Sequence, residues 1–158
     1  MKKRNCFGLR SVCWVLLVFG ACVFFGLVPY AAYETREMAP EYSAYFWPCL
    51  GFFAVIAAAY ALALAAFWKI VDDIERDRSF CMENACRMRL IGYLTGGAGA
   101  WLAAGAITLA ALNMLHPGIL LAVLAFMAFC FVVSLLARAL SKLTVRACEI
   151  KEENDLTV

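Results

Sequence analysis

The sequence predicts an all-α fold: a transmembrane four-helix bundle with a cytoplasmic extension of the fourth helix. Three observations predict it. The 158 residues are 65% hydrophobic and 16% charged, with a mean hydropathy of +0.80. An average soluble domain is about 45–50% apolar and about 25% charged. The apolar residues fall into four continuous runs without strand-type alternation, so helices are the spanning form they allow. Thirteen of the fourteen Lys and Arg residues flank those runs on what would be one side. This balance excludes an ordinary cytosolic enzyme, a disordered tail and a nucleic-acid-binding domain. It leaves little chain for soluble mass beside a single integral membrane domain, residues 1–158.

The spans are expected at about 11–32, 45–70, 90–115 and 119–140. Each is near or above the ~20 residues that cross a ~30 Å hydrocarbon core as a helix. Lys69 and Arg138 sit at span ends, where long side chains reach the headgroups. The first run follows Met1–Arg4 as a secretory signal would, and Gly20–Ala21–Cys22 resembles the approach to a lipidated cysteine. The apolar run continues through Val23–Val28, longer than the 7–15 residues of a signal core, so it is expected to be a retained anchor.

Orientation follows from the cations. Lys2, Lys3, Arg4 and Arg10 precede the first span. Lys69, Arg76, Arg78, Arg87 and Arg89 surround the loop 71–89, and Arg138, Lys142, Arg146 and Lys151 end the fourth span and enter the tail 141–158. Only Arg36 lies on the other side. The positive-inside rule then places both termini in the cytoplasm of a multi-pass protein of the cytoplasmic (inner) membrane. Tyr30, Tyr33, Tyr42, Tyr45 and Trp47 form the expected outer aromatic belt, and Trp14, Trp68 and Tyr93 the inner one.

Chemistry-bearing residues are sparse. Eight cysteines form no Cys-x-x-Cys pair, and there is one histidine. Neither a zinc site nor a disulfide framework is expected, and buried Cys packs as a small hydrophobe. His116, beside Pro117 and Gly118, is expected to be a turn residue. No catalytic pair, cofactor motif or phosphate loop is visible, so neither enzyme activity nor a cofactor is expected.

Gly92, Gly96, Ala100 and Ala104 recur every four residues along the third span and predict a packing seam, since small residues let backbones approach in lipid. Ala57, Ala61 and Ala65 repeat the spacing in the second span. Thr95, Thr108 and Asn113 are the obvious polar lining for a substrate path. Beyond the fourth span, Leu136, Leu140, Leu143, Ala147 and Ile150 form an apolar stripe on a helix reaching roughly 15 Å into the cytoplasm. Such a stripe is expected to be covered, by the loop of the same chain or by a partner.

Two segments carry a specific resemblance. Residues 78–92 contain Phe80, Cys81, Glu83, Asn84, Arg87 and Arg89, and the chain ends Glu152–Glu153–Asn154–Asp155–Leu156–Thr157 before Val158. The Phe-x-x-Glu-Asn loop and the Glu-Glu-Asn-Asp-Leu-Thr ending resemble the bacterial family known as domain of unknown function 2975, whose members have four spans. The family pattern has Ser or Thr where this chain has Cys81, a residue that would cap the following helix. Genes of that family often stand beside one for a small helix-turn-helix regulator. The resemblance therefore implies a membrane-bound regulatory or scaffold protein, with a cytoplasmic transcriptional regulator as partner and no direct contact with nucleic acid. Phe80, Glu83, Asn84, Arg87 and Arg89, with residues 152–157, would face that partner, or loop and tail would bind each other and lock the bundle. The alternative is a small transporter or channel subunit working as a homo-oligomer. In either case the surrounding partner is the lipid bilayer.

Overall fold

Residues 2–38, 40–76 and 81–156 are described in a computed structural model. They form α1 (Lys2–Ala21), a π-helical turn (Cys22–Leu27), α2 (Val28–Met38), a 3-10 turn (Pro40–Tyr45), α3 (Phe46–Glu75), α4 (Met82–Ala111) and α5 (Pro117–Leu156). Four stretches are long and apolar enough to cross a membrane: Gly8–Glu34, Ser43–Glu75, Met82–Ala111 and Pro117–Lys151.

Local chemistry sets the joints. Pro29 has no N–H to give Phe25, and its ring crowds that carbonyl in a regular helix. The widened π turn lies just before it, with the Val28 N–H bonded to the Val23 carbonyl five residues back, and the helix passes the proline unbroken. Pro48 falls in the first turn of α3, where its missing N–H costs nothing. The α4–α5 hairpin is closed at both ends. Asn113 adopts a left-handed φ of 56°, its N–H bonds to Ala110 O at 3.0 Å, and the Met114 N–H bonds to Leu109 O at 3.0 Å. This is a Schellman stop, with Asn in the place usually held by Gly. His116 Nδ1 accepts the Gly118 N–H at 3.2 Å, so the histidine is the N-cap of α5, with Pro117 at the first helical position.

The long helices pack in chain order. Close approaches run α1 to α3, α3 to α4 and, most extensively, α4 to α5. Among the described residues α5 approaches neither α1 nor α3 closely, so the four long helices form an open row. At the α1–α3 seam Trp14 and Trp68 meet edge to face at 5.5 Å, and the Tyr60 hydroxyl donates to Leu16 O at 2.5 Å. At the α3–α4 seam Phe52 stacks on Trp101 at 5.4 Å while its ring lies against Gly105, where a Cβ would come within 2.5 Å of it.

The α4–α5 seam uses smaller parts. Ser134, Ser141, Thr144 and Cys148 are the buried face of α5's second half, with Ala137 half-buried between them. Ser134 Oγ donates to Gly92 O at 2.6 Å and Ser141 Oγ to Ala85 O at 2.6 Å. A Cβ on Gly92 would meet Arg138 Cγ at 2.8 Å and Ser134 O at 3.1 Å, and one on Gly96 would meet Ser134 Oγ at 2.9 Å. The seam then follows Gly99 against Cys130. Ala100 and Ala104 are exposed in the single chain and lie off the α4–α5 contact face. A step of four residues advances 400°, so the row drifts about 40° per step and leaves the contact face.

Candidate functional site

The basic ends of the helices hold the most developed polar structure. Three elements converge there: the last turn of α3, the first turns of α4 and the middle of α5. Cys81 is the N-cap of α4, extended at φ −133° and ψ 151°, with no side-chain cap bond. Its carbonyl accepts the Asn84 and Ala85 N–H groups at 3.1 and 3.3 Å, which opens the helix. Glu83 lies in the first turn, where the N-terminal dipole favours a carboxylate.

One turn on, Asn84 is fully buried. Its Oδ1 accepts from Arg87 Nη1 at 2.8 Å. The same Arg87 nitrogen donates to Asp73 of α3, and Nη2 reaches Glu83 at 3.4 Å. Arg87 and Asp73 are 24% and 18% exposed, so this pair is shielded from solvent more than a surface pair. Farther along the row Arg10 reaches Asp72 at 3.2 Å and Glu75 at 3.7 Å. Among the described residues no buried side-chain N or O lacks a partner.

Glu83, Asn84 and Arg87 are thus brought together, and Asp73 joins them. Sequence reasoning missed Asp73, because its pairing crosses from the end of α3 to the start of α4. Arg89 is exposed and directed elsewhere, its Nη2 3.5 Å from Cys86 Sγ. Phe80 and Thr157 lie outside the described residues. Glu152 to Leu156 are the last residues of α5, and Glu153 is exposed. Ser141 is level with Ala85, beside Asn84, and Glu152 is then roughly 16 Å farther along α5. Along the helix axis, that interval separates the start of the tail motif from Asn84.

The extension of α5 meets α4 on a face other than the expected apolar stripe. Leu140, Leu143 and Ile150 are 51%, 61% and 61% exposed, and no described residue covers them. The docked face is the small polar one, Ser141, Thr144 and Cys148. On that face the small side chains let the two backbones approach, and Ser141 bonds the Ala85 carbonyl across the seam. A Ser-Ala-Ser-Thr-Cys series at steps of 3, 4, 3 and 4 was the legible signal.

Thr95 Oγ1 donates to Ile91 O at 2.9 Å and Thr108 Oγ1 to Ala104 O at 2.9 Å, each within its own helix. Asn113 is the helix stop described above. Among the described residues no three His, Cys, Asp or Glu side chains gather as metal ligands would.

Residues 30–158 match the family described as "Protein of unknown function (DUF2975)". The chain is also 27% identical over 143 residues to the "Uncharacterized membrane protein YoaS" of Bacillus subtilis (strain 168), covering 89% of this chain and 88% of that protein. No solved structure matches the chain.

Proposed function

The chain belongs to the DUF2975 family and is a membrane protein with four candidate spans; on that premise we propose that it is a membrane-bound scaffold that docks a cytoplasmic protein on the extension of α5. The observation that supports this reading is the uncovered apolar stripe. By its pairing with α4, α5 outruns the first residue of α4 by about twelve residues, or roughly 18 Å. Leu143, level with the first turn of α4, and Ile150, beyond it, stand exposed on the face opposite the α4 contact. An amphipathic helix with a bare apolar face suits an apolar groove or helix of a partner.

The basic residues orient this end to the cytoplasm by the positive-inside rule, in the inner membrane of a bacterium. The Asp73–Arg87–Asn84 network ties α3 to α4, and the Ser141 bond to Ala85 ties α4 to α5, at the base of the docking helix. The partner class implied by the family resemblance is a small helix-turn-helix regulator, which the chain would hold at the membrane without touching DNA itself. In this reading the chain binds and anchors and performs no catalysis.

The test is purification of the full-length protein from its native membrane in mild detergent, beside a Leu143→Lys/Ile150→Lys variant. Both sites are exposed, so the variant should fold. Recovery of a DNA-binding protein with the parent and its loss with the variant is the expected result. Recovery of the same partner by both proteins would reject the stripe as its dock. Recovery of further copies of the chain alone would replace the scaffold reading with that of a homo-oligomer, and flux measurements would follow.

A further inference from the structure

A second surface at the same end is chemically unlike the stripe. It is a groove of about 650 Å³ between α4 and α5, lined by Arg89, Arg138, Lys142, Arg146 and one carboxylate, Glu149. Lys142 and Arg146 are exposed, and among the described residues neither makes an ion pair. Arg138 is held in place: Nη2 bonds Ser134 Oγ at 2.7 Å, Nε bonds Ser134 O at 3.2 Å, and the guanidinium lies over the Tyr93 ring at 5.9 Å.

Tyr93 and Arg138 also line a second groove, of about 370 Å³, that runs down the same side of the seam. The second groove is apolar: Gly96, Gly97, Ala100, Met127 and Phe131 form its walls. A cationic mouth with four positive groups against one negative thus opens onto an apolar slot. The slot lies within the candidate spans, and the mouth at the end where the cations of α4 and α5 collect.

From these joined grooves we infer a binding site for one anionic phospholipid, with its phosphate among Arg89, Arg138, Lys142 and Arg146 and an acyl chain in the slot beside Gly97. Charge complementarity selects the occupant. A zwitterionic lipid would bring its own cation into a mouth that already holds four, and a free phosphate would match the cations but leave the slot empty. Basic recesses between spanning helices take anionic headgroups for this reason. The site needs only the membrane setting and is independent of any protein docked on the Leu143 face.

The test is native mass spectrometry of the full-length protein in detergent, with phosphatidylglycerol or phosphatidylcholine of identical chains added. Wild type should retain phosphatidylglycerol about tenfold better or more, the scale expected from two surface cations. Lys142→Gln/Arg146→Gln should abolish that preference. Lys69→Gln/Arg76→Gln, the same charge loss at exposed positions of α3 and its C-cap, should keep it. Equal loss in both variants would show a diffuse charge effect and overturn the site.

Gly97→Leu should lower retention of phosphatidylglycerol by filling the slot, since nothing lies within 4 Å of a Cβ there. Ala100→Leu, also exposed, is the second variant should the first fail to fold. Unchanged retention in the folded variant would overturn the acyl slot. Inorganic phosphate that competes as well as the lipid would likewise reduce the site to a phosphate site and reject the lipid.

Discussion

The α4–α5 and α1–α3 seams hold their helices by different means. Along α4–α5 both partners offer small residues, the backbones come close, and two serine hydroxyls reach across to carbonyls of the other helix. Along α1–α3 the contacts among the described residues use bulkier parts: a Trp pair, a Tyr hydroxyl on a carbonyl, and the half-exposed Arg10 on Asp72 and Glu75. In lipid, apolar area alone does not favour helix over acyl chain, so adhesion follows close packing and hydrogen bonds. The α4–α5 hairpin is therefore expected to be the rigid half of the molecule and α1–α2 the half that can shift against it.

The sharpest way to break this contrast is Gly92→Leu. The new side chain would occupy the space of Arg138 and the Ser134 carbonyl, and overpacking of this kind costs about 1–3 kcal/mol or more. Unfolding in detergent, followed by far-UV circular dichroism against added SDS, should show the loss. Gly97→Leu in the same helix should stay within about 0.5 kcal/mol. Equal effects of the two would mean that α4 and α5 are not held by that seam.

Next in size is the ion pair at the base. Asp73→Asn leaves Arg87 partly buried with only the exposed Glu83 as counter-charge, and an effect of about 1–3 kcal/mol is expected in the same assay. Asp72→Asn, whose partner Arg10 is half exposed, should cost about 0–1 kcal/mol and fade with added salt. A reversal of that order would move the structural base from α3–α4 to α1–α3.

Much of this architecture was legible beforehand, for a physical reason. Twenty apolar residues in a row have few alternatives to a spanning helix, so the four spans and the all-α class follow from composition and length. Gly92 and Gly96 were legible because Gly is costly in a helix and rarely recurs on one face without a packing reason. The seam beyond them was not, because the drift of a four-residue repeat depends on where the partner helix lies. Asp73 was hidden in a dense charged run, Asp72 to Arg78, in which nothing local marks it as a carboxylate that faces α4. Ser134 and Ser141 did not stand out, because a helical hydroxyl can bond its own backbone as well as a neighbour's, and only the place of the partner helix decides between them.

A matched pair of single-bond deletions tests whether the serines matter as this implies. Ser134→Ala and Tyr60→Phe each remove one hydroxyl bond to a carbonyl on another helix, a contribution averaging about 0.6 kcal/mol in membrane proteins. Ser134→Ala should cost more, because Arg138 Nη2 loses an acceptor with it. Ser141→Ala should match Tyr60→Phe. Equal values for all three would show that Arg138 finds other partners and that Ser134 is not a node.

The smallest effect expected is a gain. Cys81 opens α4 without a side-chain cap. Cys81→Ser would offer an oxygen to the free N–H groups of the first turn, and α4 should gain about 0.5–1 kcal/mol. Hydrogen exchange at Met82–Ala85 reads it more directly than global unfolding, since only the first turn is involved. Slower exchange there, with the rest of α4 unchanged, would show that the rigid half of the molecule is limited at its base by one weak cap. No change would mean that the Asp73–Arg87–Asn84 network already holds the turn, and that the stiffness of α4 begins with its tertiary contacts instead of its cap.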